Sequence, residues 1–270
     1  MGIQDAVLSR FVRGGEDWTP VTGVESRAAV LRSPDGASFA KVVGAAAAEE
    51  LAGERDRIEW WHATGLAGPA VLDWSSDDDG ACLVMSAVPG VTADRLDLDG
   101  LSAVWPHLAE TVRDIHEVSP DRCPFRRDLP AMMQRARDVV GQDRVVPDYL
   151  PQGWRDRPAQ DLLDRLETEY PDRLGDERQE AVVCHGDLCL PNIVVDTETS
   201  RVSGFVDLGR VGLADPYADI ALLLASAREV WPDEDAGRGA DAVFATRYGE
   251  TLDGARQLFY LELDPLTWYA

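Results

Sequence analysis

The sequence predicts an α+β protein built from two unlike parts: a small strand-rich amino-terminal part with one main helix, and a larger, mostly helical carboxyl-terminal part. Three observations carry this. Up to residue 88, apolar runs of strand length are separated by turn signals and interrupted by one helical segment. Pro89 and Gly90 then break the pattern. Beyond them helical periodicity dominates, except in Ala181 to Arg210, AVVCHGDLCLPNIVVDTETSRVSGFVDLGR, where short apolar runs are broken by polar residues. A chain of 270 residues, 45% of them hydrophobic, can bury a sizeable core as one large domain or two lobes. The hinge at residues 86 to 90 sets the boundary, giving parts 1–89 and 90–270.

In chain order, TPVTGVESRAAVLRS suggests a hairpin turning at Gly23, and SPDG is a turn leading into the alternating strand ASFAKVV. The run AAAAEELAGERDRIEWWHATG reads as a helix, with Leu51, Ile58 and Trp61 near helical spacing and Gly65 as its stop. Two further strands, around AVLDW and ACLVMSA, flank the turn DDDG. In the second part Trp105, Leu108, Val112 and Ile115 share one face of a helix ending near His116. Helices follow over 128–140 and 159–169, joined by VVPDYLPQGW. The strands of the polar-interrupted stretch come next, then a helix through DPYADIALLLASARE and one or two more.

Composition excludes several classes of function. The net charge of -23 leaves no surplus of basic residues for a phosphate backbone, so nucleic acid is excluded as a partner. A cationic small substrate suits this field, although acidic surfaces also serve solubility alone. The amino terminus lacks a signal-peptide core and no apolar run reaches membrane-span length, so no membrane association is expected and the cytoplasm is the default location. Cys82, Cys123, Cys184 and Cys189 are too few and too irregular for a disulfide framework. Zinc at Cys184, His185 and Cys189 would want a second ligand pair, and none appears.

The polar interruptions have a chemical reading. Phosphoryl transfer in the kinase manner needs an aspartate at the acceptor hydroxyl, an asparagine five residues later on a metal ion, and a metal-binding aspartate beyond a hairpin. Asp187, Asn192 and Asp207 meet that spacing, and Gly209 would let the chain turn sharply after Asp207. The flanking apolar runs then serve as the strands that hold these polar tips rigid. Of 26 basic residues only Lys41 is a lysine, which marks it as a position that asks for an ammonium. A strand lysine, Glu54 on the following helix, HGD, Asn192 and DLG stand in the order a kinase requires.

HGDLCLPN followed by GFVDLGRVGLADPYADIAL resembles the signature of the aminoglycoside phosphotransferase family, which has a bilobal protein-kinase-like fold. ELAGERDR, GACLV, CPF, VPDYLP, VVCHGD and LDPLTW extend the resemblance along nearly the whole chain, toward the branch that phosphorylates streptomycin at its 3''-hydroxyl. The resemblance implies a nucleotide-binding lobe over 1–89, and a lobe over 90–270 carrying the catalytic loop and the aminoglycoside site. It implies ATP and Mg²⁺, with Lys41 on the α- and β-phosphates held by Glu54, and Gly23 and Ser26 in the loop over the phosphates. Met85, Ser86, Ala87 and Val88 would line the hinge at the adenine edge. Asp187 would be the catalytic carboxylate, with Asn192 and Asp207 on Mg²⁺, and His185 and Asp219 bracing the loop. Asp264 would either bind the guanidinium-bearing substrate or cap the chain before Pro265.

Two features argue against a protein kinase. Gly186 stands where an arginine would read an activation-loop phosphate, and only seven residues separate Asp207 from Asp215, with no A-P-E. The remaining alternatives are a kinase of the same fold acting on another aminoglycoside, choline, homoserine or a macrolide, and a non-catalytic nucleotide-binding pseudokinase. Retention of Lys41, Asp187, Asn192 and Asp207 together argues against the last.

Overall fold

The structure, a computed structural model, describes residues 18–21 and 28–268. The chain divides into two compact units. The first holds the described residues up to Gly90 together with Val194–Asp196 and Ser203–Gly209, and the second holds Val91–Ile193, Thr197–Val202 and the residues from Arg210 onward. The division is therefore not a single cut: the chain re-enters the first unit and brings Asp207 with it.

The first unit is a five-stranded antiparallel sheet and a helix. The strands β1 (Thr19–Pro20), β2 (Ala29–Arg32), β3 (Ser38–Gly44), β4 (Val71–Asp77) and β5 (Gly80–Ser86) lie in the order β1-β2-β3-β5-β4. The hairpin read from TPVTGVESRAAVLRS is present as the β1–β2 pair, with Thr19 opposite Arg32, while Gly23 lies outside the described residues. Asp35 makes the SPDG turn, accepting from Ser33 Oγ at 2.6 Å and Ala37 N at 3.0 Å. One face of the sheet buries Leu31, Ala40, Val42 and Cys82 as a cluster.

Helix α1 (Ala48–Thr64) ends at Gly65, which is left-handed at φ 86°. Its buried residues are Leu51, Glu54, Ile58 and Trp61, so the apolar stripe that docks the helix on β5 carries one carboxylate inward with it. Phe205 meets Trp61 edge to face at 6.0 Å, and both Phe205 N and Trp61 Nε1 donate to Ala67 O at 3.1 Å. That anchor lies two residues before Asp207.

The second unit opens with the short strand β6 (Val91–Thr92), followed by α2 (Leu98–His116), α3 (Leu129–Gly141) and α4 (Ala159–Glu180). Asp97 and Asp128 cap the first two, accepting from Gly100 N at 2.8 Å and Ala131 N at 3.1 Å. The inward face of α2 is the expected one, with Trp105, Leu108, Val112 and Ile115 all buried. Helix α4 runs eleven residues past its expected end at 169, through Pro171. Arg173 pairs with Glu169 at 3.6 Å and Asp176 at 2.9 Å, bridging the turn where proline removes a donor.

Strand β7 (Val182–Cys184) leads into the HGD loop, and β8 (Ile193–Asp196) pairs with β9 (Arg201–Phe205). Strand β10 (Gly212–Ala214) runs antiparallel to β7, with Gly212 opposite Cys184. The chain closes with α5 (Tyr217–Arg228), α6 (Glu234–Tyr248), α7 (Gly254–Leu263) and a 3₁₀ turn over Asp264–Thr267. Among the described residues no helix is long and apolar enough to cross a membrane.

Candidate active site

In the first unit three charged side chains meet. Lys41 sits on central strand β3 opposite Leu83, and its Nζ donates to Glu54 Oε1 at 2.7 Å and to Asp207 Oδ1 at 2.9 Å. The Lys41 side chain is 13% exposed and that of Asp207 is 44% exposed, so the cluster is shut on the helix side and open at Asp207. Burial works against the Lys41 charge, but Glu54 and Asp207 outweigh it and hold the ammonium above its usual pKa.

The sharp turn after β9 differs from expectation. Asp207 itself is left-handed at φ 59°, whereas Gly209 has no positive φ and sits in a 3₁₀ turn over Leu208–Arg210. Aspartate is among the few residues that tolerate this region, so the functional side chain also serves as the turn residue.

At the end of β5 the backbone groups expected to form the hinge are partly used. Ser86 N donates to Ala70 O at 2.9 Å, Ser86 Oγ accepts from Ala70 N at 2.9 Å, and Ala87 N donates to Ala37 O at 2.8 Å. Val88 N donates to none of the described residues. Gly23 and Ser26 lie outside the described residues.

In the second unit the HGD loop is held by its backbone. Asp219, fully buried on α5, accepts from His185 N and Gly186 N, each at 2.7 Å. Burial alone would lift the Asp219 pKa, but His116, His185 and the Gly186 N–H bring it below the usual carboxylate value. His185, also fully buried, accepts from Asp187 N through Nδ1 at 3.3 Å. Asn192 turns back on the same loop, its Nδ2 donating to Asp187 O at 2.8 Å and to Asp187 Oδ2 at 3.2 Å. Gly186 is left-handed at φ 83°, and a Cβ there would lie 2.6 Å from Arg127 Cδ and collide with Arg210 O. No arginine could stand at that position in this loop.

Support for Asp219 comes from residues to which the sequence alone assigns no role. His116, at the end of α2, approaches Asp219 Oδ2 with Nε2 at 3.3 Å, and its Nδ1 meets Tyr248 OH at 2.7 Å. The signal was the position of His116, next to an apolar stripe in a chain with four histidines. His116, Cys184 and Asp219 come within 4.8 Å of one another. Asp219 is committed to the loop, however, and burial pushes the Cys184 thiol well above its usual pKa, which disfavours the thiolate a metal would need.

Asp264 is turned inward, 6% exposed. Its Oδ1 accepts from Arg127 NH2 at 3.0 Å and Arg210 NH1 at 3.5 Å, and its Oδ2 accepts from Trp268 Nε1 at 2.7 Å. The side chain does not cap the 3₁₀ turn that it opens.

Chemically the two clusters offer a fixed ammonium with an exposed carboxylate, and a rigid loop presenting a carboxylate with a carboxamide. Hard oxygen donors such as Asp207 and Asn192 suit Mg²⁺, and a paired lysine suits phosphate oxygens.

The chain is similar to known proteins along nearly its whole length. The profile of the phosphotransferase enzyme family (APH) matches residues 17–258. The streptomycin 3''-kinase of Streptomyces griseus is 54% identical over 97% of this chain and 97% of its own length. An aminoglycoside 3'-phosphotransferase of Streptomyces fradiae is 38% identical over 92% of this chain and 94% of its own. Among solved structures, aminoglycoside phosphotransferase APH(3'')-Id from Streptomyces rimosus, in complex with ADP and streptomycin, superposes with a TM-score of 0.93 at 48% identity, covering 99% of this chain and all of that one. With its strand-rich first unit, helical second unit and ordered Lys, Glu, HGD, Asn and DLG residues, the chain belongs to the phosphotransferase enzyme family.

Proposed function

We propose that this enzyme moves the γ-phosphate of ATP to the 3''-hydroxyl of streptomycin and so inactivates the antibiotic. The near-full-length likeness to a streptomycin 3''-kinase carries this reading, and the contacts of Lys41 with Glu54 and Asp207 and of Asn192 with Asp187 support it. Residues 1–89 act as the nucleotide-binding lobe and 90–270 as the lobe that binds the aminoglycoside.

Lys41, fixed by Glu54, holds the α- and β-phosphates. Val88 N is the open backbone donor for the adenine edge, and Ser86 shapes the hinge through its bonds to Ala70. Asp187 receives or orients the proton of the acceptor hydroxyl, while His185 and Asp219 keep its loop rigid. Asn192 and Asp207 would each offer an oxygen to Mg²⁺, which when bound would neutralise charge on the phosphates. The surplus of acidic residues favours a guanidinium-bearing acceptor.

The test is regiochemical. The purified enzyme is given ATP, Mg²⁺ and a panel of streptomycin, kanamycin and neomycin, and the product is read by phosphorus and proton NMR. One monophosphate at the 3''-hydroxyl is expected, with little turnover of the other two, because a rigid loop reaches only the hydroxyl within about 3 Å. Phosphate on the streptidine ring, or faster turnover of kanamycin, would overturn the substrate assignment.

A further inference from the structure

Gly186 is gripped from two sides. Its N–H donates to Asp219 Oδ1 at 2.7 Å, and opposite it Arg127 Cδ and Arg210 O leave no room for a Cβ. Arg127 is built into the second unit by its backbone: Arg127 N donates to Leu213 O and Leu213 N to Phe125 O, both at 3.0 Å, which lays this segment along β10. Its side chain is 11% exposed. Two arginines thus close on one glycine and share one carboxylate, that of Asp264. Trp268 completes the arrangement, donating Nε1 to Asp264 Oδ2 and placing its ring 3.8 Å from the Arg210 guanidinium. Burial and the neighbouring Arg210 pull the Arg127 pKa down, and Asp264 leads the carboxylates that oppose them.

We infer that Asp264 is a positioning residue for phosphoryl transfer, acting through Arg127 and Arg210 on the Gly186 backbone that carries Asp187, and that it is not a ligand for the acceptor. Three protein donors occupy its two oxygens and it is almost fully buried, so little of the carboxylate remains for a substrate guanidinium. Removing its charge takes away the carboxylate that the two arginines share, beside a glycine whose Cβ position is already closed by Arg127 Cδ and Arg210 O. The inference rests on the proposed kinase reading, in which Asp187 serves the acceptor hydroxyl.

Steady-state kinetics of Asp264→Asn, Arg127→Met and the double variant test it, with a thermal unfolding curve for each. A small displacement of the loop lowers kcat by about 10–100-fold while KM for the acceptor stays within about threefold. The double variant falls no more than about threefold below Arg127→Met, because both changes break one arrangement. A KM rise above about tenfold with kcat within about twofold of wild type would make Asp264 an acceptor ligand and overturn the inference, as would losses that multiply in the double variant. If Asp264→Asn does not fold, Asp264→Glu keeps the charge and shifts it by one methylene; the same fall in kcat at constant KM supports the role, and a change in KM alone refutes it. Wild-type enzyme that phosphorylates a different acceptor would sink the streptomycin assignment only, and the same kinetics would then be measured with that acceptor.

Discussion

In the first unit a charge is fixed by other charges: Lys41 is held by Glu54 at 2.7 Å and Asp207 at 2.9 Å, each placed by a different element. In the second unit a backbone is fixed by one carboxylate, since Asp219 takes both His185 N and Gly186 N and is itself steadied by His116. The two devices should fail differently. An ion cluster with an open side at Asp207 can lose its geometry without unfolding the protein. A fully buried carboxylate that satisfies two N–H groups cannot be altered without leaving a donor unpaired.

The largest expected effect sharpens the chemical side of this contrast. Asp187→Asn should lower turnover by about 10²–10⁴-fold while leaving nucleotide affinity nearly intact, because the carboxylate acts on the acceptor. Activity above a tenth of wild type would remove Asp187 from its role. Next comes Lys41→Arg, which keeps the charge but replaces a compact ammonium by a planar fork that cannot meet Glu54 and Asp207 in the same way. Turnover should fall by about 10²-fold, with the denaturation midpoint shifted by less than about 1 kcal/mol in stability. Near-normal turnover would make the lone lysine incidental.

Asp219→Asn should behave in the opposite sense. Its amide can accept from one N–H group but faces the other with a donor, so stability should drop by about 1–3 kcal/mol. Denaturant unfolding reads this directly, and an unchanged midpoint would break the comparison.

The smallest effect concerns a second buried carboxylate on backbone. Glu177 accepts from Leu129 N at 2.7 Å at the start of α3. Burial dominates there and raises its pKa from the usual 4.5 to about 7, unlike that of Asp219, which His116 and His185 help to lower. A carboxyl whose folded pKa lies above its unfolded one contributes stability that is complete below about pH 4.5 and is lost as pH rises toward about 7. Wild type should therefore lose more thermal stability than Glu177→Gln across that window, and parallel curves would refute the assignment.

Much of the candidate site is legible in the sequence because it is local. Asp187 and Asn192 lie on one loop, and the stripe Leu51, Ile58 and Trp61 that docks α1 has room for Glu54 at helical spacing. The strands of the first unit were legible from alternation and from turns such as SPDG and DDDG. Less visible was the extension of α4 through Pro171, since a proline signals an end while the ion pairs that carry the helix past it are side-chain choices. Gly209 attracted the turn after Asp207 on composition, and the backbone put the positive φ on the aspartate itself.

Residue type and order by themselves determined the α+β division, the kinase-type spacing and the solitary lysine, because each depends on neighbours a few residues apart or on a count. Only the tertiary structure decided that Lys41 meets a carboxylate 166 residues further along, that His116 and Tyr248 stand behind Asp219, and that Asp264 faces two arginines. In the sequence Arg127 is one of 25 arginines. What singles it out is close packing against a glycine 59 residues away, and packing is a property of surfaces brought together in space, which spacing along the chain does not encode.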